Sequence, residues 1–261
     1  MKLDLNAPHQ KYFHKDGKQV VGVTSYLGVL SKDALMPWAA KMEREGIQEA
    51  VMTRCSASSV ERNGLYYVSL EELDEALYSL PRSFFYAVHT NRAADLGTIA
   101  HAHIEAWLTG RELDPDGLDP TAYEQAKEPF ARFREWWDSE GMTLVVSEQQ
   151  LVHEQERFGG TIDFVCKDRE GRVVLGDIKT TGPNRAWPYD TVIAQVAAYE
   201  QLWNARVKAP NSPVERVVVV RVGKEASDPG ERVWLDPRKR QAGWALFRAA
   251  RDAYEAKRML S

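Results

Sequence analysis

The sequence predicts an α/β fold, a mixed central sheet flanked by helices and preceded by an N-terminal helical lobe. Runs rich in Val, Ile, Leu and Phe at Leu144–His153, around Asp163, at Val173–Thr180 and at Val214–Val222 have the length and composition of strands. Longer stretches with apolar residues at helical spacing, Tyr123–Glu140, Gln195–Ala205 and Gln241–Leu260, separate and follow them. No internal repeat or low-complexity linker divides the chain, and its 261 residues suffice for one good core with a smaller appended lobe.

In chain order, Lys11–Val23 reads as a hairpin turning at Asp16-Gly17. Ser31–Ala50 reads as a helix, with Ser31 or Asp33 near its cap and Pro37-Trp38 in an early turn. After a loop containing Ser and Cys, Ser69-Leu70-Glu71-Glu72 opens a short helix in the manner of a capping box. A helix from Asp95 carries His101, and Pro115–Pro120 is a turn cluster. Tyr123–Glu140 follows as a long helix with Phe130, Phe133, Trp136 and Trp137 on its buried side. This divides the chain into a mostly helical lobe, residues 1–94, and a core, residues 95–261. Leu35-Met36-Pro37-Trp38 and Phe84-Phe85-Tyr86 are expected to pack over the core and roof its cleft.

The hydrophobic content of 44% and charged content of 28% are those of a globular protein. No apolar run approaches the length needed to span a bilayer, and Met1-Lys2-Leu3-Asp4-Leu5 has no signal-peptide character. No membrane partner and a cytoplasmic location, in a bacterium or an infected host cell, are therefore expected. Two cysteines, Cys55 and Cys166, are too few for a disulfide framework and read as reduced core residues. The net charge of −4 argues against a surface coated with basic residues. Local basic patches remain at Arg206 with Lys208, at Arg216 with Arg221 and at Arg238-Lys239-Arg240, each equally readable as solvated charge.

The residues that carry chemistry lie between Gly159 and Tyr199. Gly159-Gly160-Thr161-Ile162-Asp163 precedes Gly176-Asp177-Ile178-Lys179-Thr180, and Gln195-Val196-Ala197-Ala198-Tyr199 follows. Carboxylates and a lysine inside apolar strands are costly unless they are paired or bind something. Strand alternation places Asp177 and Lys179 on one face with Val173 and Leu175. Asp168-Arg169-Glu170-Gly171-Arg172 fits a three-residue hairpin loop with Gly171 in the left-handed position. That register sets Asp168 opposite Arg172 and Asp163 opposite Asp177, whereas a slip of one residue would throw the two carboxylates onto opposite faces. Facing carboxylates repel and are best tolerated around a divalent cation, Mg²⁺ or Mn²⁺ for hard oxygen ligands.

This pattern resembles the PD-(D/E)XK nuclease superfamily, and within it the RecB-like exonuclease branch. Gly97-Thr98-Ile99-Ala100-His101 with Glu105, then Asp163, then Asp177 and Lys179, then Gln195 and Tyr199 occur in that branch's order. The resemblance implies a restriction-endonuclease-like core and a metal-dependent deoxyribonuclease. An exonuclease working on single strands or DNA ends in recombination, repair or phage DNA processing is favoured, with recombination or replication proteins as partners. It makes His101, Asp163, Asp177 and the Ile178 carbonyl the metal ligands. Lys179 becomes base or electrostatic stabiliser, Glu105 an orienting group for His101 or a water, and Gln195 with Tyr199 a contact to the substrate backbone or to Lys179. An iron–sulfur cluster, which needs four cysteines, is not expected. A structure-specific endonuclease and a non-catalytic nucleic-acid-binding subunit share the fold; retention of every costly ligand favours the enzyme. Glu148, on the preceding strand, reads as a solvated edge carboxylate, His103 as structural or exposed, and Trp187 and Tyr189 as aromatic cover for a core.

Overall fold

In the computed structural model, described residues are 2–3, 11–30, 35–55, 60–62, 65–67, 69–78, 85–116, 118–180, 187–206, 213–223, 228 and 230–260. They form two units, one of residues 1–30 and 96–261 and the other of residues 31–95. The strands are β1 (Lys2–Leu3), β2 (Tyr12–Phe13), β3 (Gln19–Gly22), β4 (Val60–Arg62), β5 (Leu65–Tyr67), β6 (Glu112–Leu113), β7 (Thr143–His153), β8 (Phe158–Lys167), β9 (Val173–Thr180), β10 (Arg216–Val222) and β11 (Glu231–Trp234). The helices are α1 (Val23–Leu27), α2 (Leu35–Cys55), α3 (Leu70–Tyr78), α4 (Phe85–Leu108), α5 (Pro120–Glu140), α6 (Asp190–Arg206) and α7 (Pro237–Leu260). The smaller unit holds α2, α3, the β4–β5 ladder and the first part of α4.

The larger unit is built on a seven-stranded mixed sheet in the order β11-β10-β9-β8-β3-β2, with β7 also paired to β8. β10 is Arg-Val-Val-Val-Val-Arg-Val and runs parallel to β9. A continuous β-branched run of that kind suits a strand covered on both faces, and α6 supplies the crossover that a parallel pair requires. One core, with Leu175, Val196, Leu202, Val219 and Phe247, lies between the sheet and α1, α6 and α7. The other, with Phe133, Trp137, Phe164, Val174 and Val220, lies under α4 and α5. Burying each such side chain contributes roughly 1.5–3 kcal/mol, so the two layers dominate the stability of the unit.

Several elements follow directly from local sequence. Asp119 caps α5 by accepting from Ala122 N at 2.7 Å, Pro120 begins the helix, and Gly141 ends it in the left-handed conformation. Phe133, Trp136 and Trp137 are buried along α5 as their spacing requires. The Asp16-Gly17 hairpin forms between β2 and β3, but it belongs to the sheet, because β3 pairs parallel with β8 through Val21–Phe158 and Gly22–Gly159. The smaller unit therefore begins at Ser31 rather than at the chain start. Helix α4 begins at Phe85, ten residues ahead of the expected Asp95, and β11 is an additional edge strand. Ser31, Asp33, Phe84, Thr181, Gly182 and Lys208 lie outside the described residues, as do the side chains of Leu35–Trp38, Cys55, Phe85 and Tyr86, and with them the expected roof.

Candidate active site

The β8–β9 hairpin adopts the three-residue loop. Gly171 has φ +80°, Gly171 N donates to Asp168 O at 2.8 Å and Asp168 N to Arg172 O at 3.1 Å. The ladder then runs Lys167–Val173, Cys166–Val174, Val165–Leu175 and Phe164–Gly176. Gly176 is required there, since a Cβ would fall 1.8 Å from the Phe164 ring. One step further the same register brings Asp163 to Asp177, but the ladder ends at Phe164–Gly176. On that edge of β8, β3 takes over only at Gly159, so Gly160–Asp163 borders a fork in the sheet. Asp163 closes it with its side chain: Oδ2 accepts from Ile178 N at 2.7 Å.

The fork gathers the titratable groups. Asp177 is fully buried, and Lys179 Nζ stands 2.6 Å from its Oδ2, on the same face as alternation requires. His101, reaching in from α4, places Nδ1 3.9 Å from Asp163 Oδ2 and retains 31% side-chain exposure, so it is open to an incoming ion. On α6, Gln195 Nε2 donates to Tyr199 OH at 2.8 Å. A Cβ on Gly160 would lie 2.8 Å from the Tyr199 ring, so the bare backbone at Gly160 lets α6 approach the strand that carries Asp163. From β2, which pairs with β3 rather than with β8, Tyr12 occupies the space beside Gly159, and its OH lies 3.0 Å from Thr161 Oγ1.

Glu148 is the residue the sequence reading placed wrongly. It is half-buried, and ligand atoms of His101, Glu148 and Asp163 lie within 4.8 Å of one another. The pairs Ser147–Phe164 and Gln149–Ile162 bracket Glu148 against Asp163. Its backbone is left-handed at φ +49°, uncommon for a residue with a Cβ. Alternation along β7 taken alone gives no warning of this; Glu148's offset from Asp163 across the β7–β8 ladder could have done so. Glu105, by contrast, is drawn to Arg111 Nη2 at 3.1 Å, and its negative charge adds to those around Glu148.

These placements shift protonation in a consistent way. Burial drives Glu148 up to about 9, reinforced by Asp163, Glu105 and Asp177. Burial raises Asp163, and it raises Asp177 to about 6 against the opposing pull of Lys179. Burial and Lys179 hold the His101 imidazole down at about 4, neutral and able to ligate. For Lys179 burial acts against the charge, but Asp177 and Asp163 outweigh it and its pKa rises. The Tyr199 phenol is pushed up by burial and then by Asp177 and Asp163, so it stays protonated. When all four carboxylates, Glu105, Glu148, Asp163 and Asp177, are ionised, Lys179 and Arg111 leave an excess of two negative charges, which the metal-free fold relieves by holding a proton on Glu148. Asp177 Oδ1 and Oδ2 accept no aligned hydrogen bond. An imidazole, carboxylate oxygens and a charge deficit of two suit one divalent cation such as Mn²⁺ or Mg²⁺.

The other flagged residues have structural partners. His103 packs against Tyr123 and Phe130 at ring distances of 4.8 and 5.8 Å. Trp187 and Tyr189 meet edge to face at 5.9 Å and pack on the core. Cys166 is buried beside Met142, and burial pushes its thiol up to about 12. Of the basic patches, Arg221 is buried against Asp228, Arg216 bonds Asp168 and stacks 3.6 Å from the Trp234 ring centre, and Arg240 pairs with Glu200. Arg206 lies over the Trp203 ring. No helix among the described residues is long and apolar enough to cross a membrane.

No protein-family model and no curated protein matches the chain. Among solved structures it has a distant likeness to SSO0001, at 14% identity and TM-score 0.33 over 65% of this chain and 75% of that one. A structure from Eubacterium rectale described as a candidate exonuclease is 12% identical, with TM-score 0.40 over 68% of each chain. An alkaline exonuclease from Laribacter hongkongensis is 16% identical, with TM-score 0.23 over 64% of this chain and 91% of that one.

Proposed function

We propose that the protein is a metal-dependent nuclease that hydrolyses phosphodiester bonds in DNA, acting as an exonuclease on single strands or ends. The observation that carries this reading is the convergence of Asp163, Asp177, Lys179 and a neutral His101 at a fork in the sheet, in the order that the PD-(D/E)XK pattern requires. A divalent cation bound here would neutralise charge on a phosphate and acidify a bound water.

The chain's own groups divide the remaining work. His101, Asp163 and Asp177 would hold the ion, with the Ile178 backbone beside them. The charged Lys179 ammonium meets negative charge as it builds on the phosphate, where fixed charge in a dry site has its largest effect. Tyr199 accepts from Gln195 and stays protonated, which leaves its own O–H to donate to a phosphate oxygen. Burial of Asp177, Tyr199 and the strand backbone excludes water from that side of the site.

The test incubates the protein with single-stranded and duplex DNA labelled at the 5′ or the 3′ end, with Mg²⁺, Mn²⁺ or EDTA. Cleavage that requires the metal and shortens strands progressively from an end is expected. No cleavage of any DNA with either metal overturns the nuclease reading. Cutting of closed circular duplex as fast as a linear single strand overturns the exonuclease reading and favours an endonuclease.

A further inference from the structure

We propose that Glu148 is a further side-chain ligand of the divalent cation, forming with His101 and Asp163 a three-residue cluster drawn from α4, β7 and β8 that adds to Asp177. This deepens the metal-dependent reading above and rests on it.

Three independent observations converge. The first is distance: ligand atoms of His101, Glu148 and Asp163 lie within 4.8 Å of one another. An octahedral ion with bonds of about 2.1 Å holds its ligands about 3.0 Å apart when adjacent and about 4.2 Å apart when opposite. Since at most one of the three pairs can be opposite, the adjacent pairs close by up to about 1.8 Å, within reach of side-chain rotation, to seat the ion. The second is the backbone. β7 is an eleven-residue strand, yet Glu148 alone within it has positive φ among its described residues. Such a conformation costs about 1–3 kcal/mol and persists where surrounding structure enforces it, often at a functional site. Here it accompanies a carboxylate brought among Asp163, Glu105 and Asp177. The third is partnership. Asp177 is met by Lys179 at 2.6 Å and Glu105 by Arg111 at 3.1 Å, while the Glu148 carboxylate has negative neighbours in Asp163, Glu105 and Asp177 that outweigh the pull of Lys179. A carboxylate so placed is stabilised by a cation bridging it to His101 and Asp163.

The set also fixes which metal is preferred. One imidazole with two carboxylates is a softer donor group than carboxylates and carbonyls alone, and it favours Mn²⁺ over Mg²⁺. Its ligands come from three elements separated in sequence, so the ion also fastens α4 to the β7–β8 pair.

The test measures Mn²⁺ affinity by calorimetry on the whole chain in the absence of DNA. The variants are Glu148→Gln, Glu148→Asp and the exposed control Glu170→Gln, each checked for folding by circular dichroism. Glu148→Gln is expected to weaken Mn²⁺ binding at least tenfold, the scale of loss seen for groups that support a metal site. Glu148→Asp is expected to fall between it and the wild type, and Glu170→Gln to match the wild type. Unchanged affinity in Glu148→Gln overturns the proposal, as does absence of Mn²⁺ binding by the wild type. Should Glu148→Gln not fold, Glu148→Asp decides by the same comparison. If the wild type binds Mn²⁺ through Glu148 but cuts no DNA, the nuclease reading fails and the ligand assignment stands.

Discussion

Asp163 Oδ2 accepts the backbone N–H of Ile178 at 2.7 Å, so the first carboxylate of the site is tied to the strand that carries the second. The bond sits one step beyond the last ladder pair, Phe164–Gly176, and substitutes for the backbone pairing that ends there. A carboxylate held in this way keeps its other oxygen for a ligand without a search through rotamers.

The first prediction separates that structural bond from the chemistry. Asp163→Asn keeps an oxygen that can accept from Ile178 and should unfold within a few degrees of the wild type, yet lose cleavage by at least about 100-fold, the scale of losing one electrostatic group at a reacting phosphate. Asp163→Ala also leaves the Ile178 N–H without its acceptor, a further cost of about 1–3 kcal/mol. Thermal unfolding and DNA cleavage, measured on both, give the contrast. Full activity of Asp163→Asn at saturating Mn²⁺ would remove Asp163 from the metal site.

Lys179 supplies the second prediction. Its pKa is raised by Asp177 and Asp163, so the metal-free site favours the charged ammonium and a role as electrostatic stabiliser rather than base. Lys179→Ala should abolish cleavage while Mn²⁺ binding persists, because the lysine acts on the transition state more than on the ion. Lys179→Arg keeps a permanent charge and cannot serve as a base. Partial cleavage by Lys179→Arg with no alkaline rise in its pH profile is the expected result; wild-type rates in Lys179→Ala would show that Asp177-Ile178-Lys179 does not catalyse.

How much of this was legible in the sequence depended on distance along the chain. The Gly171 hairpin and the register it sets are local, so the approach of Asp163 to Asp177 could be derived residue by residue. The α5 cap at Asp119 and the aromatic face of that helix followed from spacing in the same way. Alternation along β7 alone misjudges Glu148, because a left-handed residue inside a strand breaks it; the β7–β8 register, which sets Glu148 against Asp163, is the signal to use. The basic patches, left open between binding and solvated charge, are answered by acidic partners: Asp228 reaches Arg221 across the β10–β11 connection, and Glu200 meets Arg240 only through tertiary folding. Membership of the β2–β3 hairpin in the main sheet was likewise hidden, since its partner β8 lies far along the chain.

A third prediction concerns pH. Glu148 titrates at about 9 in the metal-free fold against an ordinary value of 4.5, so between those limits the native state binds a proton that the unfolded chain has released. Stability must then fall as pH rises through that window. Asp177, at about 6, adds the same trend lower down, while His101, held at about 4 against 6.5, opposes it below pH 6.5. The clear window is therefore pH 6.5 to 9. In EDTA the unfolding temperature should decline across it, and Glu148→Gln should flatten the slope. Saturating Mn²⁺ should flatten it too, by favouring the ionised ligand. A metal-free unfolding temperature that rises from pH 6.5 to 9 would contradict the placement of Glu148 among the carboxylates.

The last prediction contrasts two glycines that both lack room for a side chain but differ in what they protect. At Gly176 an added Cβ would fall 1.8 Å from the Phe164 ring, inside the core beneath α5, where neither the strand nor the ring can yield. Gly176→Ala should cost at least the roughly 1–3 kcal/mol typical of overpacking and reduce the yield of folded protein. At Gly160 the added methyl would meet the Tyr199 ring at 2.8 Å and Leu202 at 2.9 Å, both on α6. Displacing the Tyr199 ring moves the phenol that accepts from Gln195, so Gly160→Ala should retain Mn²⁺ affinity and most of its stability but lose cleavage, with the fall larger in kcat than in KM. Tyr199→Phe, which removes the hydroxyl while leaving Gly160 intact, should reproduce that kinetic pattern. Wild-type kcat in Gly160→Ala, or equal losses of stability at the two glycines, would mean that the close approach of α6 to β8 serves packing alone.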